Sequence, residues 1–490
     1  MTPHPPVNAD HEAILADLDA LRAQDAPTHG GRVLSYVYDT GRADLDELAA
    51  QAARRMQAVN GLDPTTFTSV AVLEREVVGF ARELLGAGPG TAGTVTSGGT
   101  ESCLLAVKTA RDLWRAAGGT GTPRLVAPVT VHAAFRKAAE LFDLAFDGVP
   151  VSPETGTMDA AAIAGRLGPD VALVVVSAPS YPFAAMDPVA EVAAACAAAG
   201  VACHVDACIG GWILPFWPGG VPAWDMSVPG VTSLSADLHK YGYAPKGVSV
   251  LLHADRDRHR AQYFATTDWP GYPVVNPTLL GSKPAGALAA AWALIRALGV
   301  DGFAGLAASA ARATAALVEA VTGIEGLRVV GDPAGPLFAV AADEAMPAER
   351  RVDPHHWADR VRAAGWVLQQ QPGIVQPDGT RLPHTTHFTV TPVTEAGLDE
   401  LIPVLAAAAD DVRGMLAVAA DQIVAAFGGS LPATLDADTA GALLGGLGLG
   451  GGGSLPDEMA PFLALVEALP HEVTERLLVE LLARTVEPTG

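Results

Sequence analysis

The sequence predicts an α/β chain: a large domain built on a mainly parallel sheet with helices on both faces, followed by a smaller α/β domain. Three observations predict it. Short apolar segments, Leu125–Val129, Val171–Val176 and Val201–Asp206, alternate with helix-periodic stretches. Unbroken apolar strands of this kind belong to sheets covered on both faces. With 490 residues and 50% hydrophobic content, the chain can also bury more than one core.

In order, residues 1–60 read as an N-terminal helical arm, Asp10–Gln24, a Gly-rich turn and a helix from Arg42 to Val59. Asn60-Gly61 and Asp63-Pro64 break the pattern. Residues 61–299 form the large domain. Its expected helices are Val70–Leu85, a segment ending near Ala117, His132–Phe146 and Asp187–Ala199. Its strands are the three above, one entering Ser97, Val231–Ser235 and Gly247–Leu252. Residues 300–415 form the small domain, which a helix from Leu298 to Ala320 enters. Its strands lie near Leu327–Val330, Leu337–Val340, Val367–Gln370 and Thr386–Val390, and its helices over His355–Ala363 and Glu395–Ala417. Residues 416–490 are a helical appendix interrupted by the glycine run 445–453.

Composition limits the partners. A formal net charge of −23 repels nucleic acid and anionic membranes. The apolar run Gly286–Ile295 stops at Arg296, short of the ~20 residues of a membrane span. Met1–Gly31 lacks a basic start followed by an apolar stretch, so a soluble, cytoplasmic protein is expected. Cys103, Cys196, Cys203 and Cys208 contain no C-x-x-C pair and are expected as buried free thiols. His384 and His387, three apart in a strand, point to opposite faces, so no metal site is expected there.

Chemistry concentrates in the loop Ser235-Ala-Asp-Leu-His-Lys240-Tyr-Gly-Tyr-Ala-Pro-Lys246-Gly247, between two apolar strands. Partial desolvation there would lower the pKa of Lys240 and free an amine to attack a carbonyl; a solvated surface charge is the plainer alternative. Ser97-Gly98-Gly99-Thr100 opens a helix and can cradle an anion or serve as an ordinary N-cap. Asp206 ends a strand, either as a turn cap or as the partner of a protonated pyridine nitrogen. His132 opens a helix as a cap or as a ring lying on an aromatic. His132, Ser177, His204, Asp206 and Lys240 all fall at or just past strand ends, where sheets of this type place their sites.

Taken together, Gly93-Thr-Val-Thr-Ser-Gly-Gly-Thr-Glu-Ser102, Val131-His-Ala-Ala-Phe-Arg-Lys137, Ser177-Ala-Pro-Ser-Tyr-Pro182, His204-Val-Asp-Ala-Cys208 and the Lys240 loop resemble the sphingosine-1-phosphate lyase family and, more distantly, the group II amino-acid decarboxylases. The similarity runs over about residues 30–415. It implies a fold-type-I (aminotransferase-like) architecture and pyridoxal 5'-phosphate as cofactor. By the same resemblance Lys240 carries the cofactor as a Schiff base, Asp206 pairs with its ring nitrogen and His132 stacks on the ring. Gly99, Thr100 and His239 hold its phosphate, and the His204-Val-Asp motif adds His204 to the cofactor-binding set. It further implies a homodimer with shared active sites and a small amino substrate cleaved at Cα. Tyr38 and Lys246 are the candidate bases for carbon–carbon cleavage to an aldehyde. Amino-acid decarboxylation is the alternative activity, and a non-catalytic scaffold is a third. Two positions depart from the family: Asn60-Gly61-Leu62-Asp63 replaces Asn-Pro-Leu-His, and Lys283 replaces an arginine.

Overall fold

The computed structural model describes residues 10–415, 417–418, 437–446 and 458–487. The large sheet contains β1 (Ala92–Thr96), β2 (Arg124–Pro128), β3 (Ala145–Val149), β4 (Val171–Ser177), β5 (Ala202–Asp206), β6 (Ser233–Ala236) and β7 (Ser249–His253), in the spatial order β1-β7-β6-β5-β4-β2-β3. Strands β3, β2, β4, β5 and β6 pair in parallel. Only β7 is reversed, antiparallel to both β6 and β1. Every residue of β4 and of β7 is buried, which is why their sequences show no polar alternation.

Helices α1 (His11–Arg22), α2 (Ala43–Arg55) and α3 (Thr68–Leu84) precede the sheet; α4 (Gly99–Ala116), α5 (Ala133–Phe142), α6 (Ala160–Ala164) and α7 (Val189–Ala199) connect its strands, and α8 (Arg256–Gln262) follows. One expectation is corrected here. The helix expected from His132 to Phe146 ends at Phe142, because Asp143 adopts a left-handed conformation (φ 58°) and turns the chain into edge strand β3, which contains Phe146. Only one of the five β3 residues is fully buried, so the strand carries no apolar run to announce itself.

A hairpin of β8 (Phe264–Thr266) and β9 (Val274–Asn276) projects from the large domain, and α9 (Gly286–Thr322) leads into the small one. Helix α9 runs past Arg296 and is long and apolar enough to cross a membrane by length and composition, so the shorter run read from the sequence understates it. It bends at Gly299 (φ 55°) and buries Leu288, Leu294 and Phe303 in the large core and Ala313, Leu317 and Val321 in the small one. Its apolar surface is thus largely spent on joining two cores, each fully buried leucine contributing roughly 1.5–3 kcal/mol.

The small domain carries β10 (Leu327–Val329), β11 (Leu337–Ala342), β12 (Gln369–Gln371), the short pair β13 (Ile374–Val375) and β14 (Arg381–Leu382), and β15 (Thr385–Thr389), with α10 (Pro354–Ala363) and α11 (Leu398–Val412). Its four-stranded sheet, β10-β11-β15-β12, is antiparallel throughout. Two further helices, Ala460–Ala468 and His471–Val486, form part of the C-terminal appendix. The glycine run lies mostly outside the described residues.

Candidate active site

Loops at the carboxyl ends of β1, β2, β4, β5 and β6 surround a cavity of about 540 Å³. Of the residues expected at the site, Tyr38, Gly99, Thr100, His132, Asp206, His239, Lys240 and Lys246 all line it. His204 does not. It lies fully buried beneath Asp206 on β5, with Nδ1 2.8 Å from Ser233 Oγ and Nε2 3.1 Å from Ser235 Oγ. Both ring nitrogens are taken, so His204 braces the strand rather than touching the cavity.

Lys240 Nζ lies 3.1 Å from Asp237 Oδ2, and His239 Nε2 lies 3.5 Å from the same oxygen. Burial, the largest single influence, opposes the ammonium charge, but Asp237 together with Cys208, Tyr38 and Asp206 outweighs it and raises the Lys240 pKa above the usual lysine value. This corrects the expectation of a lowered pKa, which left Asp237 out of account. Asp237 is itself held low: burial raises it, but Lys240 and His239 more than offset that. Its Oδ1 is buried without a hydrogen-bond partner among the described residues.

Asp206 Oδ1 accepts from Cys208 N at 3.1 Å, while its second oxygen has no protein hydrogen bond among the described residues. His132 realises its capping role, since Nδ1 accepts from Ala134 N at 3.2 Å, and it still lines the cavity. Burial lowers its pKa, favouring a neutral ring with its proton on Nε2.

Helix α4 begins at Gly99 behind Gly98, whose φ of 147° suits glycine. A Cβ on Gly99 would stand 2.4 Å from Asp237 Oδ2, so only glycine fits. The first-turn N–H groups of Gly99, Thr100 and Glu101 have no protein acceptor among the described residues. Glu101, missed from sequence as a site residue, braces the cradle: it accepts from Ser97 N and from Leu279 N, both at 2.6 Å.

These features fit pyridoxal phosphate. A free anion cradle, an amine, an imidazole face and a carboxylate with one open oxygen share one cavity and match its phosphate, aldehyde, ring and ring nitrogen.

Lys246, which also lines the cavity, donates through Nζ to Tyr36 O at 3.0 Å and to His239 O at 3.3 Å, and sits 4.6 Å over the Tyr38 ring. Partial desolvation and the charge on Lys240 lower Lys246 to about 8. Tyr38 is instead pushed up to about 12 by burial, which makes it the poorer base. Tyr181 hydrogen-bonds Gln369 of the small domain, and both line the cavity. Behind them Asp187 Oδ2 accepts from Ser177 N at 2.7 Å and pins the loop after β4. Glu101 and Asp237 sit inside motifs noted in the sequence and could have been read there. Gln369 has no local signal, because only folding carries β12 to the cavity.

Comparison with known proteins agrees with this geometry. Residues 38–337 match the family described as "Pyridoxal-dependent decarboxylase conserved domain", and 421–484 match "Pyridoxal-dependent enzyme, C-terminal putative HTH domain". The second match falls on the C-terminal appendix. The chain is similar to the sphingosine-1-phosphate lyase of Dictyostelium discoideum, 36% identical over 385 residues, covering 78% of this chain and 69% of that protein. It is also similar to sphingosine-1-phosphate lyase 1 of Mus musculus, 33% identical over 382 residues, covering 77% and 64%. The chain therefore spans about two thirds of these relatives' length. Among solved structures, the Burkholderia pseudomallei sphingosine-1-phosphate lyase superposes with a TM-score of 0.77 at 31% identity, covering 88% of this chain and 96% of that one. A Lactobacillus brevis glutamate decarboxylase, TM-score 0.73 at 19% identity and covering 85% and 96%, shares the fold.

Proposed function

The chain belongs to the sphingosine-1-phosphate lyase family of pyridoxal-phosphate-dependent enzymes, and from that membership we propose that it splits the Cα–Cβ bond of a β-hydroxy amine, releasing an aldehyde. When bound, the cofactor supplies an electron sink for the bond broken at Cα. Lys240 would hold the cofactor through its amine, Asp206 would keep the ring nitrogen protonated, the first turn of α4 with His239 would hold the phosphate, and His132 would lie against the ring. Lys246 takes the β-hydroxyl proton as the Cα–Cβ bond breaks, and a proton then returns to Cα. The observation that carries this reading is Lys246 itself, an amine depressed to about 8 that lines the same cavity as Lys240.

Decarboxylation needs no such base. Phosphorylated and plain β-hydroxy amines, run beside common amino acids and assayed for aldehyde and carbon dioxide together, separate the two activities. Aldehyde is expected; carbon dioxide without aldehyde overturns the assignment. Borohydride reduction followed by peptide mapping is expected to label Lys240.

The phosphate arm of that panel has a specific motive. The relatives are named for a phosphorylated amine, yet here Asp63 stands in place of a histidine and is held in its own turn, accepting from Thr65 N at 2.9 Å and from the hydroxyls of Thr65 and Thr66. Lys283 offers one point charge instead of a guanidinium fork. A weaker preference for phosphate is expected.

Exposed apolar surface supports a homodimer. Helix α1 buries none of its residues and exposes Ile14, Leu15, Leu18 and Leu21, and the β8–β9 hairpin exposes Phe264, Trp269, Tyr272 and Val275. Four buried free cysteines support a reducing, cytoplasmic setting.

A further inference from the structure

Away from the active site, three side chains from three elements converge where the C-terminal appendix meets the small domain. They are His355 on α10, His384 just before β15, and Glu467 on the helix Ala460–Ala468. One ligating atom from each lies within 4.8 Å of the others. We propose that His355, His384 and Glu467 form a binding site for a zinc-class divalent metal that joins the appendix to the small domain.

The argument rests on which ring nitrogens are already occupied. His355 Nε2 faces two carbonyl oxygens, Gln371 O at 3.0 Å and Thr385 O at 3.2 Å. Carbonyls only accept, so Nε2 carries the proton. The neutral ring then presents a bare Nδ1, which has no partner among the described residues. His384 Nε2 lies 2.9 Å from Asp353 Oδ2, leaving Nδ1 turned toward Glu467 Oε1 at 3.5 Å. Each imidazole thus has its Nε2 held by a carboxylate or carbonyl and its Nδ1 left as the candidate ligand atom, an arrangement that orients and strengthens metal-bound histidines. Two imidazoles and a carboxylate are a ligand set suited to zinc, with a fourth position left for water.

Access and charge agree. The three residues open on a cavity of about 440 Å³ whose other walls include Ala460, Ala464 and Ala468. Asp353 and Glu467 outnumber Arg381, which pairs with Glu467, by one negative charge. Gly373 N also donates to Glu467 Oε1 at 3.0 Å and fixes its orientation. The competing occupant is a proton. Burial disfavours it, but Asp353 and Glu467 hold one on His384 when no metal is bound, and the metal must displace it.

The test uses the full-length holoenzyme, stripped with a chelator and titrated with Zn²⁺ or Co²⁺. About one equivalent is expected to stay bound through gel filtration, and the Co²⁺ form is expected to show visible absorbance of tetrahedral type. His384→Ala and Glu467→Gln are expected to abolish retention while cofactor absorbance, the check on folding, is preserved. Asp353→Asn keeps the α10 cap yet is expected to weaken binding by roughly 10–100-fold. No retained metal in the folded wild type, or equal retention in all three variants, overturns the proposal.

Discussion

Lys240 and Lys246 lie six positions apart in one loop, yet their environments push them in opposite directions. Asp237 at 3.1 Å stabilises the charge on Lys240, whereas Lys246 hydrogen-bonds backbone carbonyls, lies over the Tyr38 ring and drops to about 8. Since a base must be neutral to accept a proton, kcat/KM is expected to rise with pH through about 8. Lys246→Arg keeps a cation but removes the base; it is expected to lower kcat by roughly 10²–10⁴-fold with cofactor absorbance intact, and to erase that limb of the pH profile. A second titration belongs to stability. Burial, with a smaller push from Asp206, raises Asp187 to about 7 from the ordinary 3.8, against the Ser177 N–H bond that lowers it. The folded state therefore binds more protons than the unfolded one between these values, and stability falls as pH rises from about 4 to 7. Asp187→Asn keeps an acceptor for Ser177 N and is expected to remove this slope, which is about 1.4 kcal/mol per pH unit across that window. Urea midpoints at pH 5 and pH 8 measure the difference.

At the scale of the element, the start of α4 is defined by what is absent from it. Gly98 takes a backbone conformation that side chains rarely adopt, and a methyl on Gly99 would collide with Asp237. Gly99→Ala is expected to weaken cofactor binding at least about tenfold, seen by absorbance titration, through displacement of the first-turn N–H groups and of the carboxylate beside Lys240. Strand β12 is the small domain's contribution to the site. It presents Gln369 to the Tyr181 hydroxyl and Gln371 Nε2 to Pro182 O at 2.9 Å, so the loop after β4 is held between two sheets. Gln369→Leu leaves the Tyr181 hydroxyl without that partner; the loss is expected to cost about 1–3 kcal/mol and to appear as a higher KM rather than lost cofactor. The strands and the anion cradle were legible because a parallel sheet writes itself as apolar runs ending in glycine or polar residues. Strand β3 was not, because an edge strand has less to bury.

Across the whole molecule, α9 carries the chain from one core to the other around the bend at Gly299, and the surfaces left uncovered point outward. Leucines exposed on a helix that buries none of its residues call for another surface to cover them. Leu15→Glu with Leu18→Glu is expected to shift the protein toward monomer and to lower activity in dilute solution, measured by sedimentation beside turnover. The appendix matches a family whose description includes a helix-turn-helix, yet residues 421–484 hold nine acidic side chains against two arginines. That balance opposes phosphate backbones, so no shift of duplex DNA is expected at physiological salt.

The sequence by itself determined the strand and helix plan, which rests on local pattern, and its ordered motifs, through their resemblance to a known family, pointed to the cofactor and most of the cavity wall. Tertiary structure alone decided that Asp237 raises Lys240, that His204 braces rather than binds, that Gln369 reaches the site, and that His355, His384 and Glu467 meet. Each of these depends on a distance between residues that the chain's order leaves open until packing closes it.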